Sequence, residues 1–179
     1  MEIKTDIRII KTKRKIKEVF AELLSKKEFK KITVTEIAKT AEINKGTFYL
    51  HYKDIYDLYA EVMKDDLSSR ADSFSGYGDF LESPDLFVQN FLEFAKTNLL
   101  MPDLCTAIQE ISVTDIIAEL FRRKIYENNN LPVTAENNIR LDYIIFSFLF
   151  FLRNDNISGN LKTITQILSS VISSSFIHL

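Results

Sequence analysis

A chain of 179 residues with 46% hydrophobic and 27% charged side chains is long enough to bury a substantial core, in one domain or two small ones. Four glycines and three prolines are too few for a sandwich or barrel, and a single cysteine excludes an internal disulfide and suits a reducing cytoplasm. The net charge of −2 conceals a split: residues 1–53 hold 14 Lys and Arg against 7 Asp and Glu, whereas residues 54–179 hold 9 against 18. One end of the chain is built to approach a polyanion and the other is not.

The same inventory narrows the chemistry. There is no phosphate-cradling glycine loop, no HExxH and no Cys-His metal spacing, and the acidic residues are spread along polar helix faces without an obvious pair. No catalytic residue, metal or cofactor is expected. The first 20 residues are too charged for a signal peptide, and the longest apolar run, Tyr143 to Leu152, is about half of a membrane span. A cytoplasmic protein without a membrane partner is therefore expected.

In chain order, residues 2–7 form an arm without a strong pattern. Ile16, Val19, Phe20, Leu23 and Leu24 recur at helical spacing, which predicts a first helix from Arg8 to Ser25. Lys11, Lys13, Arg14, Lys15 and Lys17 ride on its other faces. Singly each suits a solvated surface; together, beside the segment from Thr33 to Lys53, they form an electrostatic footprint for nucleic acid.

Thr33 to Lys53 reads as two short helices joined by a tight turn. Thr33 caps the first, with Glu36 reaching back in a capping box, and Ile37 and Ala38 form its apolar face. Asn44 caps the second, whose first turn presents Lys45, Gly46, Thr47 and Tyr49 outward while Phe48 points to the core. A short capped helix that shows cations and hydroxyls suits a DNA groove, the arrangement of a helix-turn-helix.

These residues also resemble a family. Thr35-x-x-Ile37-Ala38-x-x-Ala41, then Asn44-Lys45-Gly46-Thr47-Phe48-Tyr49-x-His51-Tyr52, then Asp54-x-x-Asp57-Leu58, resembles the DNA-binding domain of the TetR (tetracycline repressor) family over roughly residues 8–65. The resemblance implies a DNA-facing tyrosine at Tyr49. The expected DNA contacts are Thr33, Thr35, Asn44, Lys45, Gly46, Thr47, Tyr49, His51, Tyr52 and Lys53. Tyr52 has a second reading, with its ring packed and its hydroxyl reaching the backbone; His51 suits a phosphate or sugar better than a metal. Two departures stand out. Glu42 occupies the turn position where the family usually has glycine, so the turn is either slightly strained or differently shaped. Ile55 stands where the family usually has a phosphate-contacting lysine, a role that passes to Lys53.

Asp54 caps the next helix, with Ile55, Leu58, Tyr59, Val62 and Met63 as its buried stripe. In the family this helix links the DNA-binding domain to the regulatory one. Residues 1–53, with the start of the linking helix to about 65, are expected to be the DNA-binding domain, and residues 54–179 the effector-binding and dimerisation domain. The stretch Ser68 to Gly78 looks like the end of the linking helix and a loop at the domain boundary.

Ser83-Pro84-Asp85 is a helix start, with Ser83 as cap. The helix runs to about Leu100 and aligns Phe87, Phe91, Phe94 and Asn98, either as plain core or, with Gln109, Phe121 and Phe146, as the wall of a cavity for a small apolar effector. A short helix after Pro102 carries Cys105, Thr106 and Gln109. Another runs from Ser112 to Asn128, with Arg122, Arg123 and Lys124 against its C-terminal dipole. The last two run from Thr134 to Arg153 and from Ser158 to Phe176. The first is apolar nearly all round and the second sets Ser169, Ser170, Ser173 and Ser174 beside aliphatics, more apolar surface than one chain this size buries.

A homodimer is therefore expected, through Phe148, Leu152, Ile164, Leu168, Val171 and Ser170; the alternative is a well-packed monomer core that absorbs these residues. TetR-like proteins dimerise through their last two helices in a four-helix bundle, so resemblance and apolar excess agree. The expected fold is all-α, a three-helix helix-turn-helix domain plus a C-terminal helical bundle, with about nine helices in total. The expected function is a transcriptional regulator that binds a palindromic DNA operator and, as a repressor, is released by a small apolar effector. The alternative is a DNA-binding protein of the same fold that works without a small ligand, as an activator or an architectural protein.

Overall fold

Helix α1 (Ile7–Lys26) buries Ile16, Val19 and Phe20, as its apolar spacing requires, and exposes Lys11, Arg14, Lys15 and Lys26. The computed structural model describes residues 7–99, 113–153 and 157–176, and every regular element among them is helical. Gln109, the short helix expected around Cys105 and Thr106, and residues 2–6 of the expected arm lie outside the described residues.

After α1 the chain makes a 3-10 turn at Phe29–Lys31, then α2 (Val34–Thr40), α3 (Lys45–Tyr49) and α4 (Ile55–Ser73). Contacts divide the chain into two compact units, Met1–Asp65 and Asp66–Leu179, so the division falls inside α4 and ahead of the Ser68–Gly78 stretch. The core of the first unit is aromatic. Phe20 meets Phe29 at 6.3 Å and Tyr59 at 6.1 Å, both edge-on, and Phe48 and Tyr52 lie 5.7 Å apart beneath α3.

In the second unit α4 gives way to a 3-10 turn at Gly76–Gly78, at the end of the Ser68–Gly78 stretch expected as helix end and loop, and then to a one-turn helix α5 (Asp79–Glu82). Then come α6 (Pro84–Asn98), α7 (Val113–Asn128), α8 (Ala135–Arg153) and α9 (Ile157–Phe176). Helix α6 packs on α9, α7 on α8, and α8 on α9. Nine α-helices are present among the described residues, in an all-α fold with an N-terminal helix-turn-helix. Pro84 occupies the first turn of α6 as expected, but the Ser83 hydroxyl makes no cap bond. The Ser83 backbone serves both neighbours instead, donating to the Asp79 carbonyl at 2.8 Å and accepting from Phe87 at 2.9 Å.

Candidate nucleic-acid interface

The caps that shape the helix-turn-helix are in place. Thr33 Oγ1 accepts from the Glu36 amide at 3.3 Å, and Asn44 Oδ1 accepts from the Gly46 amide at 3.2 Å. The Glu36 carboxylate is held by Lys27 Nζ rather than closing the capping box. Asp54 Oδ1 accepts from Tyr56 and Asp57, each at 2.9 Å, and Asp57 Oδ2 accepts from the Lys53 amide at 3.0 Å, so the start of α4 is closed from both sides. Glu42, in the turn, takes φ 55°: the left-handed conformation is kept although the residue there is not glycine.

These caps aim α3. Phe48 is fully buried, while Lys45, Gly46 and Tyr49 face outward, Tyr49 with 57% of its surface exposed. Thr33, Thr35, Asn44 and Lys53 are exposed, and Thr47 and His51 are half-buried. Tyr52 differs. At 1% exposure it is core, its hydroxyl has no hydrogen-bond partner among the described residues, and burial, with the charges of Glu61, Asp65 and Asp57, pushes its pKa up. The ring is packed, as the second sequence reading had it, because the i+4 spacing from Phe48 turns it beneath α3, but the hydroxyl does not reach the backbone as that reading expected. It offers no surface to a nucleic acid. Leu50, which the sequence pattern did not single out, is 82% exposed beside Tyr49. Ile55 is half-buried at the start of α4.

The electrostatic footprint also moves. Lys13 and Lys17 bind Glu61 at 2.6 and 2.5 Å, Lys17 binds Asp65 at 2.6 Å, and Lys15 binds Glu42 at 3.1 Å. Burial disfavours the charged form of Glu61, but hydrogen bonds from Lys13 and Lys17 outweigh it and hold the carboxyl below its ordinary range. These α1 cations are committed within the unit. Lys11 on α1, Lys30 in the 3-10 turn, and Lys39, Lys45 and Lys53 are exposed and carry no ion pair among the described residues, so positive charge stays available on α2, α3 and the turn before α4 as well as at those two places.

This unit, with its exposed α3 and available lysines, has counterparts among known proteins. Residues 18–62 match the profile of the bacterial regulatory proteins of the tetR family. The N-terminal unit is a TetR-family domain. A TetR transcriptional regulator from Rhodococcus sp. RHA1 has a similar fold, with a TM-score of 0.60 and 21% identity over 94% of this chain and 98% of that one. No curated protein matches the sequence.

In the second unit, the residues expected to line an effector cavity separate. Phe87, Phe91 and Phe121 are at most 2% exposed and pack ring against ring, Phe91 lying 4.8 Å from Phe121 and 5.7 Å from Phe87. Phe94 is half-buried with its ring 5.1 Å from Phe74, and the Asn98 amide donates to the Phe94 carbonyl at 2.9 Å. Phe146 is elsewhere. It is 41% exposed on the outer face of α8, so it does not join the other rings.

The expected interface residues divide as well. Phe148, Leu152, Ile164 and Leu168 are buried within the unit, Phe148 against Phe91, whereas Val171 is half-buried and Ser170 exposed. Phe148, Leu152 and Ile164 thus belong to the core rather than to a subunit contact. The outward apolar face is made of Ile139, Tyr143, Phe146 and Phe150 on α8 with Ile167 on α9, and a groove of about 500 Å³ runs along it, floored by Leu168 and Val171. The spacing of the four α8 residues, i, i+4, i+7 and i+11, is a helical stripe that was present in the sequence alongside the core stripe. No helix among the described residues is long and apolar enough to cross a membrane.

Proposed function

We propose that the protein is a homodimeric, sequence-specific repressor whose two α3 helices enter successive major grooves of a palindromic operator. The observation that carries this reading is the outward face of α3, where Lys45, Gly46 and an exposed Tyr49 stand on a buried Phe48. Lys39, Lys45 and Lys53 supply phosphate contacts, Thr33, Thr35, Asn44, Thr47 and His51 supply polar ones, and Tyr49 reaches a phosphate or a base. The apolar face of α8 and α9 supports the dimer, since five large exposed hydrophobic side chains on two neighbouring helices need a cover. The two heads then read half-sites one helical turn apart, roughly 34 Å. The protein acts in the cytoplasm.

In this reading a small apolar effector binds the aromatic second unit and favours a state whose heads are wrongly spaced. Lowering operator affinity a hundredfold requires a preference of about 2.7 kcal/mol for that state. One observation favours a second reading, a regulator that works without a small ligand: the described rings of the second unit fill the space against one another, Phe91 meeting both Phe121 and Phe148 at 4.8 Å.

The test is selection of bound sequences from random duplex DNA, followed by affinity against salt. A palindromic consensus with a steep salt slope, and a Tyr49→Ala variant that stays folded but binds about 10- to 100-fold more weakly, is expected. Equal binding by Tyr49→Ala would remove α3 from the interface. Thermal shifts with small apolar compounds decide between the two modes of regulation, a saturable shift that lowers operator affinity supporting the first.

A further inference from the structure

Leu50 has the largest exposed fraction, 82%, of any large hydrophobic residue described, and it stands on the surface that α3 would present to DNA. Exposed leucines scattered singly are ordinary, so exposure alone means little. Its placement means more. Leu50 closes α3 with helical backbone, its amide donating to the Gly46 carbonyl at 3.1 Å, so its side chain is held at a defined position rather than on a free loop. It lies one residue after the exposed Tyr49 and four after Gly46, and Phe48 and Tyr52 take the opposite side into the core.

Around it the surface is polar and cationic. Lys45 and Lys53 are exposed without ion pairs among the described residues. A polyanion drawn to this surface must cover the isobutyl group, and a covered apolar group needs an apolar counterpart. In the major groove every base-pair edge presents hydrogen-bonding atoms, and the apolar feature among them is the C5-methyl group of thymine. Gly46, with no side chain in the same row, leaves room for that edge to come close.

We propose that Leu50 reads the 5-methyl group of one thymine in each operator half-site. This rests on the reading of α3 as the recognition helix. Leu50 thereby acts as a specificity-determining residue through van der Waals contact and water exclusion, without a phosphate contact of its own.

The experiment replaces each thymine of the selected operator, one symmetric pair at a time, by deoxyuridine, which removes only the methyl group. For the parent protein one pair of replacements is expected to weaken binding about 3- to 10-fold per half-site, the scale of one buried methyl group. Leu50→Ala is expected to bind the unmodified operator more weakly by a similar factor, to ignore that replacement, and to keep the parent salt slope. Leu50→Met, which keeps an apolar side chain, is expected to retain part of the methyl dependence. If no thymine position matters, or if removal of the methyl weakens parent and Leu50→Ala equally, the inference is overturned while DNA binding stands. If the parent selects no sequence at all, the reading of α3 falls with it.

Discussion

Phe146 and Phe148 stand two residues apart on α8 and face opposite ways: Phe148 is 2% exposed with its ring 4.8 Å from that of Phe91, while Phe146 is 41% exposed. Two positions on an α-helix are about 200° of rotation, so one side chain must leave the core when the other enters it. The two therefore respond differently to substitution. Phe148→Ala is expected to cost about 3–5 kcal/mol, read by urea denaturation, because it opens a cavity among packed rings. Phe146→Asp is expected to keep the helical circular dichroism signal and turn the dimer into a monomer by light scattering. A dimer that survives Phe146→Asp would mean that this face is not the interface.

Gly46 is not required by the fold. Its φ is not positive, and a Cβ there would meet only Asn44 Oδ1, at an ordinary 3.9 Å. Alanine is the better helix former, so Gly46→Ala is expected to raise stability by about 0.5–1 kcal/mol. If the bare backbone serves close approach to DNA, the same variant loses operator affinity. A stabilised variant with unchanged affinity would remove Gly46 from the contact surface.

Glu42 holds φ 55° and pairs with Lys15 at 3.1 Å through an exposed carboxylate. A non-glycine residue in this region costs about 1–2 kcal/mol, and glycine gives back about 0.5–1 kcal/mol of that in unfolded-state entropy. The exposed ion pair contributes little. Glu42→Gly is therefore expected to raise the urea midpoint modestly, by the equivalent of about 0.5–1 kcal/mol. A lower midpoint would show that the Lys15 pair outweighs the backbone term.

Tyr52 buries a phenol oxygen that has no hydrogen-bond partner among the described residues. Tyr52→Phe removes its desolvation cost and keeps the ring beneath Lys13, whose Nζ lies 5.1 Å from the ring centroid. Stability is expected to rise by up to about 1 kcal/mol, with operator affinity unchanged. A loss of affinity on removing this one oxygen would return Tyr52 to the interface.

Glu61 ties α4 to α1 through Lys13 and Lys17, and its folded pKa is lowered, so its contribution to stability is present above its ordinary value of 4.5 and is lost as pH falls through the lower folded value. Lys17 behaves oppositely. Burial lowers its pKa, but hydrogen bonds to Asp65 and Glu61 raise it more, so its contribution is complete below 10.5 and fades as pH rises beyond that. Glu61→Gln is expected to lower stability at neutral pH by about 0.2–1 kcal/mol per lost pair and to make the acid limb of the stability curve shallower. Urea midpoints at neutral and acid pH check this, and parallel curves for parent and variant would refute it.

The N-terminal unit was legible in the sequence because its signals are local. Thr33, Asn44 and Asp54 each cap within three residues, and the α1 stripe needs only helical spacing. The turn at Glu42 was left open between a strained and a differently shaped one, and the structure keeps it left-handed. Those positions determined an all-α fold and the aim of α3. What lay beyond reach depends on residues distant in the chain. Lys13 and Lys17 look available for DNA until α4 brings Glu61 and Asp65, each 48 positions further along the chain, against them. Tyr52 and Leu50 are both apolar-bodied residues near the end of one short helix, and only packing put the first inside and left the second out. On α8 the apolar run from Tyr143 to Leu152 has no polar face, so its period carries no information about which side turns inward. Contact with α7 and α9 broke that symmetry, burying Phe148 and leaving Phe146 exposed.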